Sequence, residues 1–129
     1  MSTGPHNGDI FTLCDIVRET SFDIYQYLRS GHREQIYENA LAHRLRKRGV
    51  KVQQQQAVKV FDEDGTLLGL LRADLLIETE LICEIKACQA VLPEHKAQLL
   101  GYLRASRIEH GLLINFGGAR FEIKKYIVN

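Results

Sequence analysis

The sequence predicts an α/β (α+β) domain, a mixed sheet flanked by helices. Three observations carry this: two opening stretches with helical apolar spacing, a change to a period of two from Val50 onward, and one more helical segment set between strands. Grouped strands interrupted by a single crossover helix give the order helix, helix, three strands, helix, two strands.

Asp9 can cap a first helix whose Leu13, Ile16, Val17, Ile24 and Leu28 recur at helical spacing up to a break at Ser30-Gly31. A second helix is expected over residues 33–48, with Tyr37, Leu41 and Leu45 on one face and Gly49 placed to end it. Strand spacing then runs through Val52, Val58, Val60 and Phe61, and the Gln53 to Gln56 run reads as strand with a polar face. Asp62 to Gly65 reads as a turn into residues 67–71, which makes a hairpin, and the chain runs on into strands over residues 71–77 and 81–87. Pro93 suits the first turn of a helix reaching about Ser106, and strands over residues 111–116 and 120–127 complete the order.

A length of 129 residues sets the expectation of one domain with one core, over residues 9–129, behind a flexible start at residues 1–8. No run approaches the ~20 apolar residues that span a bilayer, and residues 1–7 lack a signal-like core, so no membrane partner is expected and the cytoplasm is the default location. Cys14, Cys83 and Cys88 are an odd number without a CxxC pair, which argues against a disulfide framework or a zinc site and for small reduced core residues. Lys plus Arg total 17 against 16 for Asp plus Glu, and a net charge of +1 supplies no global field to draw in a polyanion. The one basic cluster, Arg44, Arg46, Lys47, Arg48 and Lys51, reads either as phosphate contacts or as a solvated helix end.

The chemistry concentrates around Glu78-Thr79-Glu80. Odd positions on either side of the turn, Ala73, Leu75, Ile77, Leu81, Cys83, Ile85 and Ala87, are apolar, while the even positions include Arg72, Asp74, Glu84 and Lys86. Directly opposed residues share a face, so a turn centred on Thr79 sets Asp74 opposite Glu84 and Arg72 opposite Lys86, with opposed β-carbons ~5 Å apart. Two carboxylates so placed can hold one hard cation, with Lys86 on the same face to orient water or balance phosphate charge. The alternative is an ordinary amphipathic hairpin with exposed ion pairs. Leu76 and Ile82 share the charged face, which implies that part of it is covered.

Asp74 followed by Glu84-Ile85-Lys86 is similar to the D-x(n)-E-x-K signature of the PD-(D/E)XK nuclease superfamily. Gly31-His-Arg-Glu34-Gln-Ile-Tyr37 resembles the signature of the GxxExxY protein family, a branch of that superfamily. Arg72-Ala-Asp74, the segment from His95 through Gln98 to Tyr102, and Gly111-Leu-Leu-Ile-Asn-Phe-Gly117 resemble that family in the same order. Alanine stands where the signature has proline before Asp74, and residues 25–30 lack the family's LGxG-like turn. The resemblance implies a restriction-endonuclease-like fold, Mg²⁺ or Mn²⁺ on Asp74 and Glu84, Lys86 as the catalytic lysine, and Glu34 as an acid given by the early helix. Gln98 and Tyr102 match a QxxxY element of some members, which makes Gln98 a candidate for the metal or water shell and leaves Tyr37, His95 and Tyr102 as accessory candidates. Read from the residues alone, Glu34 is first of all a first-turn acid and His95 a surface histidine near a helix start.

Two functions follow. One is divalent-cation-dependent hydrolysis of a phosphodiester, with nucleic acid as the partner. The other is a nuclease fold used for binding or assembly, holding a nucleotide or flavin or building a homo-oligomer. No glycine-rich phosphate loop supports the nucleotide version. Self-association is expected in either case, because Phe22, Tyr25 and Tyr27 cannot all fit one core stripe of the first helix.

Overall fold

The computed structural model describes residues 9–129, so the expected flexible start at residues 1–8 lies outside the described residues. The elements run α1 (Ile10–Leu28), α2 (Glu34–Lys47), β1 (Val52–Phe61), β2 (Leu67–Ile77), β3 (Leu81–Lys86), α3 (Pro93–Ser106), β4 (His110–Asn115) and β5 (Glu122–Ile127). The spatial strand order equals the chain order, and every pairing is antiparallel except β3 with β4. That parallel pair needs a crossover, which α3 supplies. The result is a mixed sheet with α1 and α2 packed on one face and α3 on the other, as the residue periods imply.

Asp9 caps α1 by accepting from the Phe11 N–H at 2.9 Å and the Thr12 hydroxyl at 3.1 Å. Leu13, Ile16, Val17 and Ile24 of α1 join Tyr37, Leu41 and Leu45 of α2 over Leu75, Ile77, Leu81, Cys83, Ile85, Leu112 and Ile114 of the sheet. On the far side, Leu99, Tyr102 and Leu103 of α3 cover Val58, Ala73, Ile82 and Leu113. Alpha-helix 3 lies so close to β4 that a β-carbon on Gly111 would stand 3.0 Å from the Leu99 and Leu103 side chains. β3 and β4, bounded by covered faces on both sides, are buried nearly end to end, as expected of a parallel pair.

The covered charged face has a plain cause. Ile82, on the same side as Glu84, is fully buried beneath α3, so this face is interior and not a solvated row of ion pairs. One part of the alternation fails. Ala73 packs with the α3 cluster while Leu75, two residues on, packs under α1 and α2, so β2 changes faces at Asp74. The cysteines are all free, with Cys14 and Cys83 buried, and burial pushes both thiols above their ordinary range. No helix among the described residues is long and apolar enough to cross a membrane.

Candidate functional site

β2 and β3 pair through only three positions, Ile77↔Leu81, Leu76↔Ile82 and Leu75↔Cys83. The next pair in that register is Asp74 with Glu84, the opposition derived from the turn at Thr79. There the strands part and carboxylates replace carbonyls as acceptors. The Asp74 N–H donates to Glu84 Oε2 at 2.8 Å, and the Ile85 N–H donates to Asp74 Oδ2 at 2.7 Å. Buried N–H groups must find partners, so the splay would be costly without these acids.

A third acid closes in from α2. Glu38 is only 3% exposed, and its two oxygens accept from the amides of Gln55 at 2.8 Å and Gln54 at 2.9 Å. Gln55 also reaches Asp74 Oδ1 at 3.3 Å. Glu84 is 2% exposed. Burial, and then the negative charge of Asp74, push its carboxyl up to about 8; the Asp74 N–H and Lys86 pull it down, and Glu38 adds a further upward push. Among the described residues, no ion pair neutralises Asp74, Glu84 or Glu38.

Lys86 ends β3 and turns toward α3. Its Nζ donates to Gln98 Oε1 at 3.2 Å, and Gln98 Nε2 donates to the Tyr102 hydroxyl at 3.1 Å. Burial raises the Tyr102 phenol above its usual range, and the charges of Glu84 and Asp74 add to the shift, which ties this residue to the same electrostatic environment. The loop after Lys86 is fixed by buried Asn115 at the end of β4. Its Oδ1 accepts from the N–H groups of Cys88 at 3.1 Å and Gly117 at 3.0 Å, while its Nδ2 donates to the Cys88 carbonyl at 2.9 Å. Gly117 passes so close that a β-carbon there would lie 2.3 Å from the Ala87 carbonyl carbon. The Gly111-to-Gly117 segment is therefore architecture that seats α3 and the loop beyond Lys86.

Asp74 and Glu84 are the residues that could hold a cation. Among the described residues, no group of three or more His, Cys, Asp or Glu side chains surrounds one point. A two-carboxylate set suits a hard cation that keeps several waters, as Mg²⁺ does, and fits none of the closed His or Cys cages. Burial and the neighbouring Asp74 raise the Glu84 carboxyl even with Lys86 acting against them, and a cation bound between the two acids would favour its ionised form.

A family profile of the PD-(D/E)XK nuclease superfamily matches residues 12–126. The chain belongs to the PD-(D/E)XK nuclease superfamily. Asp74 and Glu84, two of the residues that resemble the D…ExK signature, meet at the splay, and the third, Lys86, lies near enough to lower the Glu84 carboxyl. The chain is also similar to the crystal structure of SSO0001, at 22% identity and a TM-score of 0.58, over 72% of this chain and 48% of that one. It thus spans about half the length of that protein, and a likeness at this identity speaks to the fold alone. No curated protein matches the chain.

The other residues singled out from sequence fall in distinct places. Glu34 is exposed at the first turn of α2, one turn before Glu38. Tyr37 is fully buried, stacked on Phe116 at 4.5 Å between ring centroids. Its hydroxyl donates to the Arg29 carbonyl and accepts from the His32 N–H at 3.2 Å, so it ties the α1–α2 connection together. Gly31 in that connection has φ of 113°, which glycine adopts freely. His95 Nδ1 accepts from the Leu92 N–H at 3.0 Å and so caps α3. The basic cluster is partly structural, since Arg46 donates to the Val52 carbonyl at 2.8 Å and Arg48 to the Thr20 hydroxyl at 3.1 Å. Glu38 was not singled out from sequence, although it stands three and seven residues before Leu41 and Leu45 and therefore shares their buried face.

Proposed function

We propose that the chain is a divalent-cation-dependent nuclease that hydrolyses phosphodiester bonds, with Asp74, Glu84 and Lys86 as its centre. The observation that carries this reading is the pair of carboxylates at the β2–β3 splay, held by backbone N–H groups and, among the described residues, in no ion pair. Asp74 and Glu84 would hold Mg²⁺ or Mn²⁺, which supplies charge stabilisation at the phosphate and lowers the pKa of bound water. Lys86, steadied by Gln98, is placed to orient the attacking water or balance charge on the phosphate, and Tyr102 steadies Gln98 in turn. Glu38 serves as the acid of the early helix, with Glu34 one turn outward on the same helix as a contact at the mouth of the site.

Membership of the GxxExxY branch is part of the same proposal. It is supported by Gly31 at positive φ and by Tyr37 closing the connection between α1 and α2. His95, engaged through Nδ1, retains Nε2 for an accessory contact. A cytoplasmic nucleic acid is the proposed substrate.

Incubation of the purified protein with DNA and RNA, with and without Mg²⁺ or Mn²⁺, tests the reading. Cleavage is expected only with metal. Asp74→Asn should remove both cleavage and cation affinity, because the amide loses the charge that holds the ion. Lys86→Ala should remove turnover while leaving cation binding within a few-fold of the parent. Equal cleavage and equal affinity in the Asp74→Asn protein would place the active site elsewhere.

A second reading, the same fold used for assembly without cleavage, is favoured by one observation. The β1–β2 hairpin exposes Phe61, Leu67, Leu68 and Leu70 around its turn, and α1 exposes Phe22 and Tyr27. Such surface fits a homo-oligomer contact. A multimeric mass at micromolar concentration together with no cleavage under any divalent metal would put this reading ahead.

A further inference from the structure

Gln55 departs from its strand in a way that the motif residues do not explain. Its φ is 52°, a region that costs a side-chain-bearing residue about 1–2 kcal/mol. It is also missing from the β1–β2 ladder, where Gln54↔Leu75 and Gln56↔Ala73 pair on either side of it. The position it skips is the one opposite Asp74, and the β2–β3 ladder ends at the same residue on the other side. Asp74 is therefore released from both neighbouring strands at once, which is why its N–H is available to Glu84.

Three contacts hold Gln55 in this conformation. Arg72 Nη1 donates to its carbonyl at 3.2 Å, and its amide nitrogen donates to Glu38 Oε1 at 2.8 Å and to Asp74 Oδ1 at 3.3 Å. An amide NH₂ has two hydrogens, and here one is directed to each acid. A left-handed residue serving only to bend β1, with the register unbroken on either side, would be met better by glycine or asparagine, which adopt positive φ more readily. The long amide is needed only for its reach into the acids. Strain held in place by polar contacts beside two buried acids, Glu38 and Glu84, and a half-buried one, Asp74, is the pattern of a pre-organised site.

We infer that Gln55 is a positioning residue: its amide bridges Glu38 to Asp74 and fixes the Asp74 carboxylate in the orientation that a cation shared with Glu84 requires. The cation part of this inference rests on the nuclease reading above. The bridge also lets two acids approach each other without a cation between them, because each faces an N–H instead of the other's charge.

The test uses Gln55→Gly, which keeps the positive φ without strain and deletes the amide, and Gln55→Asn, which tolerates that φ but falls one methylene short of the acids. In the metal-free protein, amide hydrogen exchange at Ile85, whose N–H is held by Asp74 Oδ2, should speed about 10-fold in both variants, while exchange at Leu81 and Cys83 in the paired part of β3 stays unchanged. Calorimetric titration with Mn²⁺ should show affinity lower by about 10- to 100-fold, the usual effect of losing a partner that orients a ligand. A merely structural role would disturb Leu81 and Cys83 along with Ile85. Unchanged exchange at Ile85 in both folded variants overturns the inference, whatever the metal does. If the parent binds no Mn²⁺, the cation reading fails, and exchange at Ile85 still decides whether Gln55 positions Asp74.

Discussion

The two ends of the β2–β3 pair make opposite use of the same backbone. At the foot, from Ile77↔Leu81 to Leu75↔Cys83, ordinary ladder bonds join strands whose side chains are almost all apolar and sealed between two clusters. At the head, beginning one pair later, the ladder stops and Asp74 and Glu84 take over as acceptors. Neighbouring positions thus divide two tasks. The foot gains stability from burial, at about 1.5–3 kcal/mol for each large aliphatic side chain. The head buries acids that repel one another, a cost tolerated where a site needs charge in a fixed place.

Truncation at the foot should produce the largest change. Leu75 is fully buried under α1 and α2, and Leu75→Ala leaves a cavity that the surrounding side chains fill only in part. The expected loss is about 2–5 kcal/mol of unfolding free energy in denaturant titration, equal with and without divalent metal. A loss that metal largely repairs would show that foot and head are one coupled unit and break the division.

The head should show the reverse sign. The folded-state carboxyl of Glu84 is raised to about 8, well above an unfolded glutamate, so its contribution is fully present below the unfolded pKa near 4.5 and is lost as pH rises through about 8. The metal-free parent should therefore lose stability across that window by up to ~1.4 kcal/mol per pH unit from this one group. Glu84→Gln keeps the size and an oxygen acceptor for the Asp74 N–H but cannot ionise. Relative to the parent, its unfolding free energy should be closest near pH 4, below the unfolded pKa, and rise toward pH 8. Parallel pH profiles for the two proteins would remove the electrostatic cost assigned to the head. On the same grounds, cation binding at pH 7 should release on the order of one proton, read as a buffer-dependent calorimetric heat.

The foot and head differ also in how much of them the sequence discloses. The register followed from side-chain parity alone, because opposed residues must share a face, and the structure keeps that register from Ile77↔Leu81 up to the last paired position. The proximity of Asp74 and Glu84 was legible for the same reason. Glu38 was not, since its depth depends on amides that reach it from another element, Gln54 and Gln55 of β1. Nor was the change of face between Ala73 and Leu75, which accompanies a positive φ at Gln55 on the neighbouring strand. Local periodicity carries burial and pairing; it carries no information about a backbone conformation imposed by contacts distant in sequence.

The smallest effect is expected where the head meets α3. Tyr102 is 8% exposed and its hydroxyl accepts from Gln98 Nε2, so it sets which way the Gln98 amide faces and leaves Oε1 directed at Lys86. Tyr102→Phe keeps the ring that packs with Leu99 and Leu103 but removes that acceptor. The loss of one partly buried hydrogen bond should cost about 1 kcal/mol or less in unfolding free energy. If Lys86 acts in turnover, a freely rotating Gln98 should lower kcat several-fold, while Mn²⁺ affinity, which rests on Asp74 and Glu84, stays within twofold of the parent. Loss of Mn²⁺ affinity would instead make Tyr102 part of the carboxylate site. Unchanged kcat and affinity alike would reduce the Lys86–Gln98–Tyr102 chain to packing, and the head of the hairpin would then consist of its acids alone.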